Sequence, residues 1–223
     1  MYDIIGDIHG HAGPLKQLLD RLGYRETNGV WCHSRRKALF LGDYIDRGPE
    51  QVEVVRVVRA VVDAGAALAE HLRPHTAKNR HQHHVFLEQV GEGSPLHQEV
   101  IDWCRTLPLY LDLPELRAVH ACWHPVQITT LSRELDDRQR LPADAWVRAA
   151  TEGNALFDAV ETTLKGQEIE LPDGAGFHDK DGHHRRHVRT RWWQSTPATY
   201  RSVALIPDSA RATVPDQPLP DGL

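Results

Sequence analysis

The chain has 223 residues, 40% of them hydrophobic and 26% charged, and a formal net charge of −5. That length supports one sizeable core, and the acidic balance gives no electrostatic basis for nucleic acid as a main partner. Three cysteines (Cys32, Cys104 and Cys122) without CxxC spacing argue against a disulfide framework or a zinc ribbon, and no apolar run approaches membrane-spanning length. With no signal-like segment at the start, the expectation is a cytoplasmic protein in a reducing compartment with no membrane partner.

Taken in order, Tyr2-Asp3-Ile4-Ile5 reads as a buried strand that breaks at Gly6 and runs into Asp7-Ile8-His9-Gly10. An extended backbone would point Asp7 and His9 the same way, which makes them a chelating pair. Pro14 to Leu22 has apolar residues at i, i+3, i+4 and i+7, opens on proline and closes at Gly23, so a helix is expected. Tyr24 to Lys37 is polar and loop-like. A second apolar run, Ala38 to Leu41, ends in Gly42-Asp43-Tyr44-Ile45-Asp46-Arg47-Gly48. Carboxylates and a histidine thus stand at the C-terminal ends of two strands, where open α/β sheets place their sites. A helix from Pro49 through Ala64, capped by Gly65, leads to a third strand beginning at Ala66.

From Glu70 to His84 the chain is polar. Its histidines at 71, 75, 81, 83 and 84, interleaved with arginine and lysine, read as a solvated loop rather than as substitute ligands. Helical patterns follow at Val85 to Val90 and Pro95 to Leu107, then two short strands, Leu109 to Leu113 and Leu116 to His120, the second closing on His120. Leu131 to Gly153 is mixed, Asn154 to Lys165 is a helix capped by Gly166, and Val188 to Trp193 is strand-like. The cluster His183 to His187 is expected on the surface, and Trp192 and Trp193 are expected to pack a core rather than stack a nucleobase. One domain is expected over residues 1–205, followed by a proline-rich loose tail over 206–223.

Asp7, His9, Asp43 and His120 supply two carboxylates and two imidazoles from three strand ends. Mixed oxygen and nitrogen ligation suits Mn²⁺, Fe or Zn²⁺, and a carboxylate between two cations can bridge them. Arg47 offers a forked donor for phosphate oxygens.

On these residues the chain resembles the calcineurin-like metallophosphoesterases, in the branch of serine/threonine phosphoprotein phosphatases and bacterial diadenosine-tetraphosphatase-type enzymes. The resemblance implies an α/β fold, a two-sheet β-sandwich flanked by helices (αββα), here incomplete, with a dinuclear metal centre at the strand ends. It implies Asp7 and His9 on the first metal, Asp43 as the bridge, His120 on the second metal, Asp46 orienting a catalytic histidine and Arg47 holding the substrate phosphate. The metal expected is manganese, with iron or zinc as alternatives. The substrates expected are phosphomonoesters, phosphoprotein or dinucleoside polyphosphates. The family's Gly-Asn-His-Glu/Asp block has no counterpart after Leu68, and no Gly-His-containing segment is matched before Leu223. A catalytically inactive remnant that at most binds a phosphate ligand or a partner is therefore the alternative expectation.

Overall fold

Strand β1 (Tyr2–Ile5) leads into α1 (Ala12–Arg21), a small hairpin β2 (Arg25–Thr27) and β3 (Val30–Cys32), and then β4 (Lys37–Phe40), α2 (Gln51–Asp63) and β5 (Ala67–Leu68). Next come α3 (Ala77–Val90), α4 (Pro95–Cys104) and a second hairpin, β6 (Tyr110–Leu113) with β7 (Leu116–Val119). Helices α5 (Pro125–Ser132), α6 (Trp146–Ala149) and α7 (Ala155–Lys165) precede four short strands, β8 (Glu168–Glu170), β9 (Phe177–His178), β10 (His184–Arg185) and β11 (His187–Arg189), and the short helix α8 (Tyr200–Val203). The structure is a computed structural model and describes residues 1–64, 67–68, 77–179, 182–194 and 199–220, without the side chains of 67, 68 and 77–82. Among these residues no helix is long and apolar enough to cross a membrane.

The layering follows from β4. It lies between β1 and β5 in a parallel sheet, with Ile5 opposite Phe40 and Leu39 opposite Ala67. Successive strand side chains point to opposite faces. Ala38 and Phe40 accordingly enter a core built with Ile5, Leu15 and Leu19 of α1 and the valines of α2, while Leu39 and Leu41 face Leu111 and Ala118 of the second hairpin. Burial on both faces is why this strand reads as an unbroken apolar run. The hairpin alternates in turn: Tyr110 and Val119 point away from β4, onto Leu131, Ala149, Ala159 and Val160 of α5, α6 and α7. The order of layers is helix, sheet, hairpin, helix, which is the expected αββα arrangement with a two-stranded second sheet. The hairpin does not cover β1, so Ile4 remains 55% exposed beside fully buried Leu39.

Three stretches depart from the sequence expectation. Tyr24 to Lys37 is not merely a loop: Asn28 and Gly29, at φ +52° and +81°, close the β2–β3 hairpin, and only residues tolerant of positive φ make such a turn. Helix α3 begins at Ala77, inside the segment expected to be a solvated loop. The tail from Ile206 is not loose. Ile206 and Val214 are buried in a third core with Val188, Tyr200 and Val203, and the Gln217 and Pro215 carbonyls accept from Tyr200 N and Arg201 N at 3.0 and 3.2 Å. Proline removes N–H donors but leaves carbonyls free to accept, so a proline-rich strap can still be anchored. A domain boundary at 205/206 would cut through this core. Glu70 to Thr76, and with them the segment after the third strand, lie outside the described residues, as does the Gly65 cap.

What positions the site is the joining of the loops that follow β1 and β4. Ile8 N and His9 N donate to the Asp43 carbonyl at 3.1 and 2.7 Å, Gly10 N donates to Tyr44 O at 2.8 Å, and Gly48 N and Glu50 N return to His9 O and Gly10 O, each at 2.8 Å. Gly48 is required for this approach: a Cβ there would lie 2.6 Å from the Gly10 carbonyl oxygen and closer still to that of His9. Fully buried Gln51 fastens the second loop from below, its Oε1 accepting from Asp46 N at 2.6 Å and its Nε2 donating to Gly48 O.

Two stability predictions follow from these contacts. Gln51→Ala leaves a buried N–H and a buried carbonyl unpaired and is expected to cost about 2–4 kcal/mol in urea unfolding. A cost below about 0.5 kcal/mol, the range of a neutral surface change, would show that the loop does not depend on Gln51. The second concerns Tyr24, whose hydroxyl donates to Asp3 Oδ2 at 3.1 Å, while Arg36 pairs with the other Asp3 oxygen at 3.0 Å. Burial first, then the Asp3 hydrogen bond and charge, push the Tyr24 phenol up to about 12. The unfolded phenol loses its proton near pH 10, so between about pH 10 and about 12 only the folded state holds it, and stability falls as pH rises. The fall in urea midpoint across that window should be smaller in Tyr24→Phe; an equal fall in both proteins would refute the assignment.

Candidate metal centre

Asp7 and His9 follow β1, Asp43 follows β4, and one ligand atom from each lies within 4.8 Å of the others. His9 Nε2 is 3.7 Å from Asp7 Oδ2 and 3.6 Å from Asp43 Oδ2. His120, one residue past β7, brings its Nε2 to 3.9 Å from the other Asp43 oxygen, Oδ1. Asp43 therefore stands between two imidazoles, one on each carboxylate oxygen. His9 and His120 are largely buried at 16% side-chain exposure, Asp43 is at 26%, and Asp7, at 59%, is the open side. The convergence of Asp7 and His9 was expected from an extended backbone. Its cause is different: His9 sits at φ +49°, in a left-handed turn.

The same geometry tests whether a cation fits. The His120 Nδ1 donates to the Leu41 carbonyl at 2.8 Å and the His9 Nδ1 lies 3.4 Å from the Ile45 carbonyl. A carbonyl only accepts, so each of these ring nitrogens carries the hydrogen, and in the neutral ring each Nε2 turns a lone pair toward carboxylate oxygens. Two acceptors facing each other repel unless a cation lies between them. Separations of 3.6–3.9 Å are too long for hydrogen bonds, yet they match ligand atoms placed about 2.1 Å from a shared divalent ion. Asp7, His9 and Asp43 fit one divalent cation, with His120 on the far oxygen of Asp43.

Backbone strain concentrates at the same place. His9, Asp43, Asp46 and Arg47 all have positive φ, a conformation that non-glycine residues adopt at a cost and that gathers at functional sites. Asp46 does not join the triad. It accepts a 2.6 Å hydrogen bond from His83 Nδ1, and both side chains are mostly shielded. His83 corrects the solvated reading of the histidine-rich segment, and it was legible. It precedes Phe86 by three residues and Val90 by seven, the buried stripe of α3, so the apolar face continues back to it. The side chains of His71, His75 and His81 lie outside the described residues. Arg47 is exposed and, among the described residues, forms no hydrogen bond or ion pair, leaving its fork open to solvent. Gln51 was the other contributor not anticipated; nothing in its sequence neighbourhood distinguishes it from an ordinary first-turn polar residue. Cys122, two residues after His120, is buried, and burial pushes its thiol up, which argues against a nucleophilic role.

The family model for calcineurin-like phosphoesterase matches residues 2–87, the part that contains Asp7, His9, Asp43, Asp46 and His83. The bis(5'-nucleosyl)-tetraphosphatase PrpE [asymmetrical] of Bacillus subtilis is 31% identical over 154 residues, covering 61% of this chain and 63% of the relative. The protein of the same name from Oceanobacillus iheyensis is 46% identical over 61 residues, covering 27% of this chain and 24% of the relative. The chain thus spans less than two thirds of the length of either. Among solved structures, a protein serine/threonine phosphatase from Saccharomyces cerevisiae aligns with a TM-score of 0.47 at 17% identity, over 71% of this chain and 47% of that one. Residues 2–87 of this chain are thus similar to the calcineurin-like phosphoesterases, and over 154 residues the chain is similar to the bis(5'-nucleosyl)-tetraphosphatase PrpE of Bacillus subtilis.

Proposed function

We propose that this chain hydrolyses phosphoric esters at the Asp43 centre, with a phosphorylated nucleotide, first of all a dinucleoside polyphosphate, as substrate. The observation that carries the proposal is Asp43 held between His9 and His120, with one imidazole on each oxygen. Asp7, His9 and Asp43 would hold one divalent cation, and Asp43 with His120 would contribute to a second; manganese is the first ion to test, iron and zinc the next. Such cations supply Lewis-acid polarisation of the phosphoryl oxygens and activation of water. The chain's own residues do the rest. Arg47, exposed and next in the chain to Asp46, offers a planar fork that can clamp two phosphoryl oxygens, which a lysine could match only as a point charge. Asp46 fixes the His83 ring through Nδ1, so Nε2 is the nitrogen that would carry the second proton of the imidazolium and pass it to the departing oxygen. The nucleotide preference comes from the names of the homologous PrpE proteins.

A second reading is supported by one observation. Among the described residues, the second cation would draw only on Asp43 and His120, a thin ligand set, which favours a chain that binds phosphate without turning it over.

Turnover separates the two. Protein supplied with Mn²⁺ is expected to hydrolyse p-nitrophenyl phosphate and diadenosine tetraphosphate, and Asp43→Asn to lose at least about 100-fold of that activity. No turnover by the wild-type chain with any of the three metals would sink the hydrolase proposal and leave the binding one. His83→Asn should lower kcat by about 100-fold or more, and by more for phenyl phosphate than for p-nitrophenyl phosphate, whose weakly basic leaving group has less need of a proton. Equal losses on both substrates would remove His83 from the proton-transfer role.

A further inference from the structure

The turn Arg191–Gln194 holds two adjacent indoles that join none of the cores formed by the described residues. Arg191 N donates to Val203 O at 2.7 Å and Gln194 N closes back on Arg191 O at 3.0 Å, so Trp192 and Trp193 are the two central residues of a hydrogen-bonded turn. Residues at the apex of a closed turn project outward, and these are 37% and 61% exposed, contrary to the core packing expected from sequence. The rings meet edge to face, with centroids 5.7 Å apart and planes at 87°. They form a corner, one wall of which is an open indole face.

The corner is tied to the metal centre. Trp192 Nε1 donates to Ala121 O at 2.7 Å, and Ala121 is the residue after His120. On its other side this loop is pinned to α7, with Ala121 N and Cys122 N donating to Thr163 O at 3.1 and 3.3 Å. One hydrogen bond and one peptide unit therefore separate the indole pair from the imidazole on Asp43. The Trp192 N–H is already satisfied and neither indole carries a charge, so what the corner offers a ligand is uncharged π-surface with the Trp193 N–H at its edge. The flat, uncharged, heteroaromatic part of a nucleotide fits that surface, whereas its phosphate fits the charged centre next door.

We propose that Trp192 and Trp193 form a base-stacking subsite for the nucleoside of a substrate whose phosphate lies at the Asp43 centre. The subsite rests on the phosphoesterase reading for its phosphate half only. Stacking tolerates different bases, because every base presents a π-face, so adenine and guanine nucleotides should bind comparably.

Binding can be measured without turnover. With Mn²⁺ present, calorimetric titration of the wild-type protein should show adenosine 5'-monophosphate binding more tightly than ribose 5-phosphate. Trp193→Ala should weaken the nucleotide roughly 5- to 150-fold while leaving ribose 5-phosphate as it was, and Trp193→Phe should recover most of the loss. At 61% exposure, Trp193 can be replaced without opening a core. Equal affinity for the two ligands in the wild type, unchanged nucleotide affinity in Trp193→Ala, or no saturable nucleotide binding would each overturn the subsite. Failure of the hydrolase reading would be seen separately, as base-dependent binding in a protein that turns over nothing.

Discussion

Five backbone hydrogen bonds join the loop after β1 to the loop after β4, and the candidate metal-binding triad is brought together by them. Each loop alone is a short irregular segment at the end of a strand. Joined, they bring Asp7 and His9 against Asp43 and force four non-glycine residues to positive φ. Strain of that kind costs about 1–3 kcal/mol per residue, somewhat less for Asp and His, which tolerate the left-handed region better than most. A backbone hydrogen bond returns a net of about 0.5–1.5 kcal/mol. The two sums are of similar size, so the joined loops roughly offset their own strain and little more. Their rigidity must be borrowed from below: from Gln51, fully buried and bonded to both Asp46 and Gly48, and from Ile8 and Tyr44, which anchor the two loops in the helical core.

The second dependence is across layers. His120 belongs to the β6–β7 hairpin, not to the parallel sheet, and reaches Asp43 only because the hairpin docks on β4 through Leu39, Leu111 and Ala118. Its bond to the Leu41 carbonyl then fixes the ring. Thus a patch of leucines, chemically inert, decides whether the carboxylate of Asp43 meets one imidazole or two. The same loop carries the Trp192 hydrogen bond, so sheet, hairpin and indole pair converge on the segment around His120 and Ala121.

Much of this was legible in the chain. Strands β1 and β4 declared themselves as apolar runs ending at glycine, helices α1, α2, α4 and α7 by their spacing, and Asp7, His9, Asp43 and His120 by standing at strand ends. What escaped did so for physical reasons. The Asn28-Gly29 turn is a two-residue signal inside a stretch whose polarity reads as loop. His83 is polar by residue type, and only its position three and seven residues before Phe86 and Val90 marks it as part of the buried face. Proline content makes the tail from Ile206 read as loose, while its anchoring depends on carbonyls and two apolar residues. Residue type assigns Trp192 and Trp193 to a core, while their exposure follows from the turn they occupy. Composition and type speak to averages; turns, strain and cross-layer contacts depend on which partners the fold supplies.

The most direct measurement is calorimetric titration of Mn²⁺ into metal-free protein, in the wild type and in His120→Ala and Asp43→Ala. If Asp43 bridges two sites, the wild type binds about two ions per chain, His120→Ala retains about one, and Asp43→Ala loses both at comparable concentrations. Saturable binding that Asp43→Ala leaves unchanged, or no binding by the wild type, would contradict a metal centre organised on Asp43.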